Sequence, residues 1–233
     1  MSLQPIRPGA VVSEIWRIYL DQSWVLIGTA LVLYALQFVI YLLLPSAAGI
    51  ALLLLFWALG VLYQGMVVEL VRDVQDGRRD HSVGKLLRSV EPVFWPLVAV
   101  SILFGIAVGI GFVLLIIPGL FLLVIWSVVA PVTVLERPGV FEAFGRSRAL
   151  VRGNGWNVFA VMVLVFLAVA VVSVAAGLVA ASLGSIGRGL VQWAVNAALA
   201  PVTALSASVL YFALRGSATP STETVFSDAR PGA

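Results

Sequence analysis

Long apolar runs alternate with short stretches in which apolar and charged positions recur at helical spacing, and the alternation occurs three times along the chain. A helix needs about 20 apolar residues to cross the hydrocarbon core of a bilayer. Six runs meet or approach that length: Trp24–Leu44, Gly49–Leu70, Val93–Ile116, Leu120–Leu135, Trp156–Ser182 and Gly189–Leu214. The amphipathic stretches are 11–22, 82–91 and 139–152. In the first, Val11, Val12, Ile15 and Tyr19 share one side of a helix, and Glu14, Arg17 and Asp21 the other, with Arg17 and Asp21 spaced as an i,i+4 pair. In the second, Val83, Leu86, Leu87 and Val90 oppose Lys85, Arg88 and Glu91. In the third, Val140, Phe141, Phe144 and Val151 oppose Glu142, Arg146, Arg148 and Arg152.

Each amphipathic stretch ends in a break and then a tryptophan that opens a span: Trp24, Trp95 and Trp156. Indole suits a membrane interface because its ring is apolar while its N–H seeks a polar partner. The pattern predicts an all-α polytopic integral membrane protein of six transmembrane helices plus three cytoplasmic interfacial amphipathic helices. It also predicts a threefold internal repeat, with units of about 11–70, 82–135 and 139–214 inside one membrane domain, 1–215. Residues 216–233 are rich in Ser, Thr, Pro and Gly, and are expected to form a disordered cytoplasmic tail. More than twenty residues, with Glu14 and Asp21 among them, precede the first apolar run, so that run is expected to be a retained anchor rather than a cleaved signal.

Charge sets the orientation. Once the six spans are drawn, all eleven acidic residues and all but one of the fourteen basic ones fall on one side; Arg188 is the exception. Three links are nearly bare: 45–48, 117–119 around Pro118-Gly119, and 183–188. The others carry the Lys and Arg, which places both termini in the cytoplasm of a prokaryotic plasma membrane. At 61% hydrophobic, 11% charged and a mean hydropathy of +1.09, water is not the principal solvent of this chain. The pI near 9.7 follows from short juxtamembrane loops, so no nucleic-acid partner is expected. The chain has no cysteine, which excludes disulfides, thiolate metal sites and cysteine nucleophiles.

Two segments resemble a known family. Ile6-Arg7-Pro8-Gly9 running into Ser13 through Leu20 is similar to the N-terminal signature of the prokaryotic glycerophosphoryl diester phosphodiesterase membrane-domain family. The fuller match is Ile116-Ile117-Pro118-Gly119-Leu120, then Ala130-Pro131-Val132, Leu135-Glu136 and Glu142-Ala143-Phe144, continuing into Arg146-Ser147-Arg148, Leu150 to Asn154 and Trp156. The resemblance covers about a third of the chain. It implies a six-helix membrane domain without the soluble phosphodiesterase domain that follows it in some relatives. That domain uses paired histidines and metal-binding carboxylates, whereas this chain has one histidine, His81, so no catalytic residue carries over.

Several polar residues bear on function. Arg146, Arg148, Arg152 and Trp156 form a basic, indole-bearing segment suited to lipid headgroups or a membrane partner. Gln192, Asn196, Thr203 and Ser206 make one stripe of the sixth span near Pro201, fit either to line a wet cavity or to hydrogen-bond a neighbouring helix. Glu69 and Arg72 read as an intramembrane ion pair, and Glu136–Arg137 reads the same way. Gly105 and Gly109 form a GxxxG, favoured as a packing site within the chain, and Pro131 is favoured as a kink. Asp73, Asp76, Asp80 and His81 alternate with arginines and lack a calcium or zinc ligand pattern. No metal or cofactor is expected, nor a nucleophile–base set. The expected function is therefore a non-catalytic membrane module that binds anionic inner-leaflet lipid or a membrane partner, with a small transporter or channel as the alternative. A homo-oligomer is compatible with both.

Overall fold

The computed structural model describes residues 6–43, 49–77 and 83–218. The link 45–48, Arg78 to His81, and the tail beyond Ala218 lie outside the described residues. Among the described residues there is no strand. Ten α-helices follow one another among the described residues: α1 (Pro8–Asp21), α2 (Ser23–Leu43), α3 (Gly49–Gln75), α4 (Val83–Val90), α5 (Phe94–Leu114), α6 (Ile116–Ile125), α7 (Val129–Leu135), α8 (Val140–Val151), α9 (Gly155–Ala181) and α10 (Ser185–Ala218). A 3-10 turn, Glu91–Val93, joins α4 to α5. Five segments are long and apolar enough to cross a membrane, and α1 with the start of α2 makes a sixth only if that pair, bent by 77°, is taken as one.

Several boundaries differ from those expected. The third helix continues past Leu70 to Gln75, which puts Glu69 and Arg72 on one helical turn. The last helix starts at Ser185 and runs to Ala218, so the first residues of the expected tail are helical. The turn between the third and fourth apolar runs is not at Pro118-Gly119 but at Leu115, whose backbone is extended (φ −164°, ψ 149°). Pro118 sits in the first turn of α6, where a missing N–H costs no hydrogen bond. Gly119 lets the two helices cross closely: a Cβ on Gly111 would lie 2.9 Å from the Gly119 Cα, and one on Gly119 would lie 2.6 Å from the Phe112 ring. The expected GxxxG contact does not form within the chain. Cβ atoms on Gly105 and Gly109 would meet nothing within 4 Å, and both residues are exposed.

The fourth apolar run is broken rather than kinked at its proline. Pro131 cannot donate to the Ser127 carbonyl, and its ring crowds that position. The helix accordingly stops at Ile125 and resumes at Val129, with Trp126 and Val128 both near φ −110°. Val129 N–H turns back to the Trp126 carbonyl, at 3.1 Å, and so leaves the Ile125 carbonyl without its usual donor.

The amphipathic helices use their apolar faces on the protein itself. Val11, Ile15 and Ile18 of α1 are buried against α9 and α10, and Leu86 and Val90 of α4 are buried next to α3. In α8 the buried face is Ala143, Ser147, Leu150 and Val151, against α5, α6, α7 and α10. Phe141, expected on the inner side, is 81% exposed. Arg17 pairs with Glu14 rather than with Asp21. These three helices gather the core at one end of the long helices: Val61 to Val71 of α3, Leu97 and Val100 of α5, Val158 and Val161 of α9, and Ala204 to Leu214 of α10.

Candidate functional site

The basic segment lies at the elbow between α8 and α9. Glu142, in the first turn of α8, accepts a hydrogen bond from the Gly139 N–H at 3.1 Å, which satisfies a donor that the helix start leaves open. The helix ends at Val151, its cap residue Arg152 leaves the helical region (φ −56°, ψ 128°), and Gly153 takes the left-handed conformation (φ 88°) that a side chain disfavours. Asn154 then fixes the corner. Its buried Oδ1 accepts from the Ile6 N–H at 3.2 Å and from Asn157 Nδ2 at 3.4 Å, tying the N-terminal segment to the start of α9. Trp156 is the second residue of α9, as Trp24 and Trp95 are of α2 and α5, and the three indoles are 82%, 89% and 75% exposed.

The broken helix receives α8. Ser147 is fully buried, and its hydroxyl donates to the Ile125 carbonyl at 3.0 Å, the acceptor freed by the break. Ser/Thr hydroxyls are a usual means of satisfying backbone groups where an apolar helix is interrupted. The contact places the outward face of α8 beside α6. Gly145, Arg148 and Ala149 make one stripe of α8, and with Arg152 just past its end, Phe121 and Ile125 they line a half-open cavity of 780 Å³. A second cavity of 600 Å³ shares Phe121, Ile125, Gly153 and Gly155 with it and continues along Ile117, Leu120 and Val124 to Trp156.

The three candidate arginines divide. Arg146 Nε bonds Glu136 Oε2 at 2.7 Å, and the Tyr211 hydroxyl donates to Glu136 Oε1 at 2.9 Å. Hydrogen bonding to Glu136 pushes the Arg146 guanidinium further above its already high range. Arg146 is therefore a structural clasp between α8, the end of α7 and α10. The expected Glu136–Arg137 ion pair is not among the contacts of the described residues, where Glu136 is held by Arg146 and Tyr211 and Arg137 takes a left-handed backbone conformation (φ 51°). The Arg148 and Arg152 guanidiniums make no ion pair or hydrogen bond among the described residues, and both side chains are exposed.

Glu69 and Arg72 do come together, at 3.3 Å, and Arg72 also approaches Asp76 at 3.9 Å. Glu69 is buried with its second oxygen unpartnered, and Arg137 is within electrostatic reach. Among the described residues no cluster of His, Asp and Glu is arranged to hold a metal ion.

The sixth-span stripe is split. Gln192 Nε2 donates to Asn196 Oδ1 at 3.2 Å on an exposed part of α10. Thr203 and Ser206 instead line a 210 Å³ cavity between α9 and α10, with their hydroxyls donating to the Ala200 and Thr203 carbonyls. Ser127, from the broken turn, faces the same cavity with its hydroxyl unpartnered. Sequence reasoning missed Ser127, Ser147 and the apolar wall of α6. The available signal was Pro131, which marks the position four residues earlier as a break needing outside donors.

No family model, curated protein or solved structure matches the chain. What the geometry itself defines is an all-helical protein with several helices long and apolar enough to cross a membrane.

Proposed function

We propose that the chain is a non-catalytic integral membrane module that binds the anionic lipid of a prokaryotic inner membrane; its resemblance to the phosphodiesterase membrane-domain family supports the six-helix membrane domain alone. It has six spans in three units, each an amphipathic helix followed by an apolar hairpin, with both termini cytoplasmic. The observation that carries the lipid reading is the division of the arginines. Arg146 is paired with Glu136, while Arg148 and Arg152 have no ion-pair partner among the described residues and stand beside an apolar wall. Basic residues near an anionic leaflet contribute about 1 kcal/mol each. The bundle buries Val11, Ile15 and Ile18 of α1, Leu86 and Val90 of α4, and Ala143, Leu150 and Val151 of α8, which leaves these charges, the exposed indoles and exposed apolar residues such as Leu20, Leu87 and Phe141 to meet the leaflet. The test is thermal unfolding in detergent micelles doped with lipid. Phosphatidylglycerol is expected to raise the Tm of the wild type more than phosphatidylcholine does, and Arg148→Gln with Arg152→Gln to remove the difference. Equal stabilisation by the two lipids in the wild type would refute the reading. A reporter fused to either terminus and found outside the cytoplasm would refute the topology.

A transport reading has one observation in its favour: the unpartnered Ser127 hydroxyl in the cavity with Thr203 and Ser206, between the broken α6–α7 run and α10, which carries Pro201. It requires solute flux in proteoliposomes that Ser127→Ala or Thr203→Val abolishes; absence of flux for small polar solutes and monovalent ions removes it.

A further inference from the structure

We infer that the α8–α9 elbow is a discrete site for a single anionic diacyl phospholipid, with its phosphate between Arg148 and Arg152 and an acyl chain laid along α6. This rests on the lipid reading above but is narrower, because a diffuse leaflet attraction needs charge alone and this site also needs shape. The charge is specific in place. Arg148 is in the last turn of α8 and Arg152 is the cap residue four positions on, and both line the same cavity. No carboxylate lines either cavity. The nearest acids in sequence are already engaged, Glu136 by Arg146 and Tyr211, and Glu142 by the Gly139 N–H. Two unpaired guanidiniums without a counter-charge call for an oxyanion, and their planar forks match the oxygens of a phosphate.

The shape argues for a lipid rather than a free anion. Ala149 lies between the arginines and Gly145 one turn before Arg148, and a Cβ added at Gly145 would meet nothing within 4 Å, so the floor is open. The facing wall is apolar from Phe121 and Ile125 onward to Leu120 and Ile117. At the junction of the two cavities stand Gly153 and Gly155, so little side-chain bulk separates the guanidinium end from the apolar end. Trp156 borders the apolar stretch, where an indole suits the boundary between headgroup and acyl chain. Inorganic phosphate would use only the arginine end; a phospholipid uses both.

The experiment is native mass spectrometry of the full chain, delipidated and then given phosphatidylglycerol, with the micelle-stability assay run in parallel. The wild type is expected to retain one phosphatidylglycerol. Arg148→Gln with Arg152→Gln is expected to lower its occupancy by about tenfold or more, the effect of losing charge-assisted hydrogen bonds. Ala149→Leu, an exposed position that accepts a good helix former, is expected to do the same by filling the floor without changing charge. Arg188→Gln, outside both cavities, leaves occupancy unchanged. If Ala149→Leu keeps full occupancy while phosphatidylglycerol still selectively stabilises the protein, the discrete site is wrong and the leaflet reading stands. If phosphatidylglycerol gives no selective stabilisation, both fail. Displacement of the lipid by millimolar inorganic phosphate would also overturn the site. A phosphatidylglycerol carrying a photoreactive acyl chain checks the unaltered protein: labelling is expected on the peptide that holds Ile117 to Ile125, and labelling confined elsewhere overturns the proposal.

Discussion

The two ends of the helix bundle are built differently. At the end carrying α1, α4 and α8, side chains from α3, α5, α7, α9 and α10 form one contiguous core in which Val68, Val132, Leu205 and Tyr211 are fully enclosed. Toward the other end the same helices expose their apolar residues: Ile102 to Ile117 in α5 and α6, Val163 to Val179 in α9, and Leu190 in α10. In the most apolar 18-residue stretch of α9, whose mean hydropathy is 3.1, only 11% is buried inside the molecule. Lipid tails are as apolar as leucine, so no hydrophobic force draws side chains together within a bilayer. Near the headgroups water returns, and burial again rewards close packing. In the proposed membrane placement the short amphipathic helices lie where that reward exists.

The comparison can be broken most sharply by matched truncations. Leu210→Ala removes a core side chain at the packed end and is expected to cost about 2–5 kcal/mol, measured by chemical or thermal unfolding in detergent. Leu167→Ala, an exposed residue of α9, is expected to stay within about 0.5 kcal/mol. Equal losses would mean that the outer half is packed as tightly as the core.

A second test uses the one glycine crossing argued for the outer region. Gly111→Ala sets a methyl against the Gly119 backbone and is expected to destabilise by about 1–3 kcal/mol. Gly105→Ala and Gly109→Ala add a methyl to open space, and with their better helix propensity they are expected to be neutral or mildly stabilising in the same unfolding assay. The reverse ranking would return the close contact to the GxxxG.

Next in size is the joint between α8 and the broken helix. Ser147→Ala leaves the Ile125 carbonyl without its donor and is expected to cost about 1–2 kcal/mol, with faster amide exchange in residues 126–129 as the local signature. The smallest effect belongs to the clasp. Arg146 is about half exposed, so a double-mutant cycle with Glu136 is expected to return about 0.2–1 kcal/mol, most of it lost in 1 M salt. A larger coupling that salt does not weaken would show the pair to be shielded by the surrounding membrane.

Resolution of the candidate site by sequence was uneven for identifiable reasons. Arg148, Arg152 and Trp156 were legible because basic residues next to an indole at the end of an apolar run have a direct physical meaning. Arg146 looked equivalent to its neighbours, and only the return of α8 along α7 brings it to Glu136. Gln192 to Ser206 read as a continuous stripe because helical spacing is local. Which part of a stripe faces a cavity depends on the neighbouring helix, and α9 covers only Thr203 and Ser206.

What the sequence determined by itself is the material of the fold. Apolar runs of membrane-spanning length, with polar groups between them, leave the helix as the way to satisfy each backbone amide within its own segment. Helical periodicity also located the three short amphipathic helices, because spacing along one helix is a local property. Tertiary structure decided where the apolar faces of those helices went, where the fourth apolar run breaks, and which glycines touch. It also decided which arginines were left without partners. Each of these depends on which helices meet, and a buried serine donating to a carbonyl 22 residues away is set by packing rather than by any pattern along the chain.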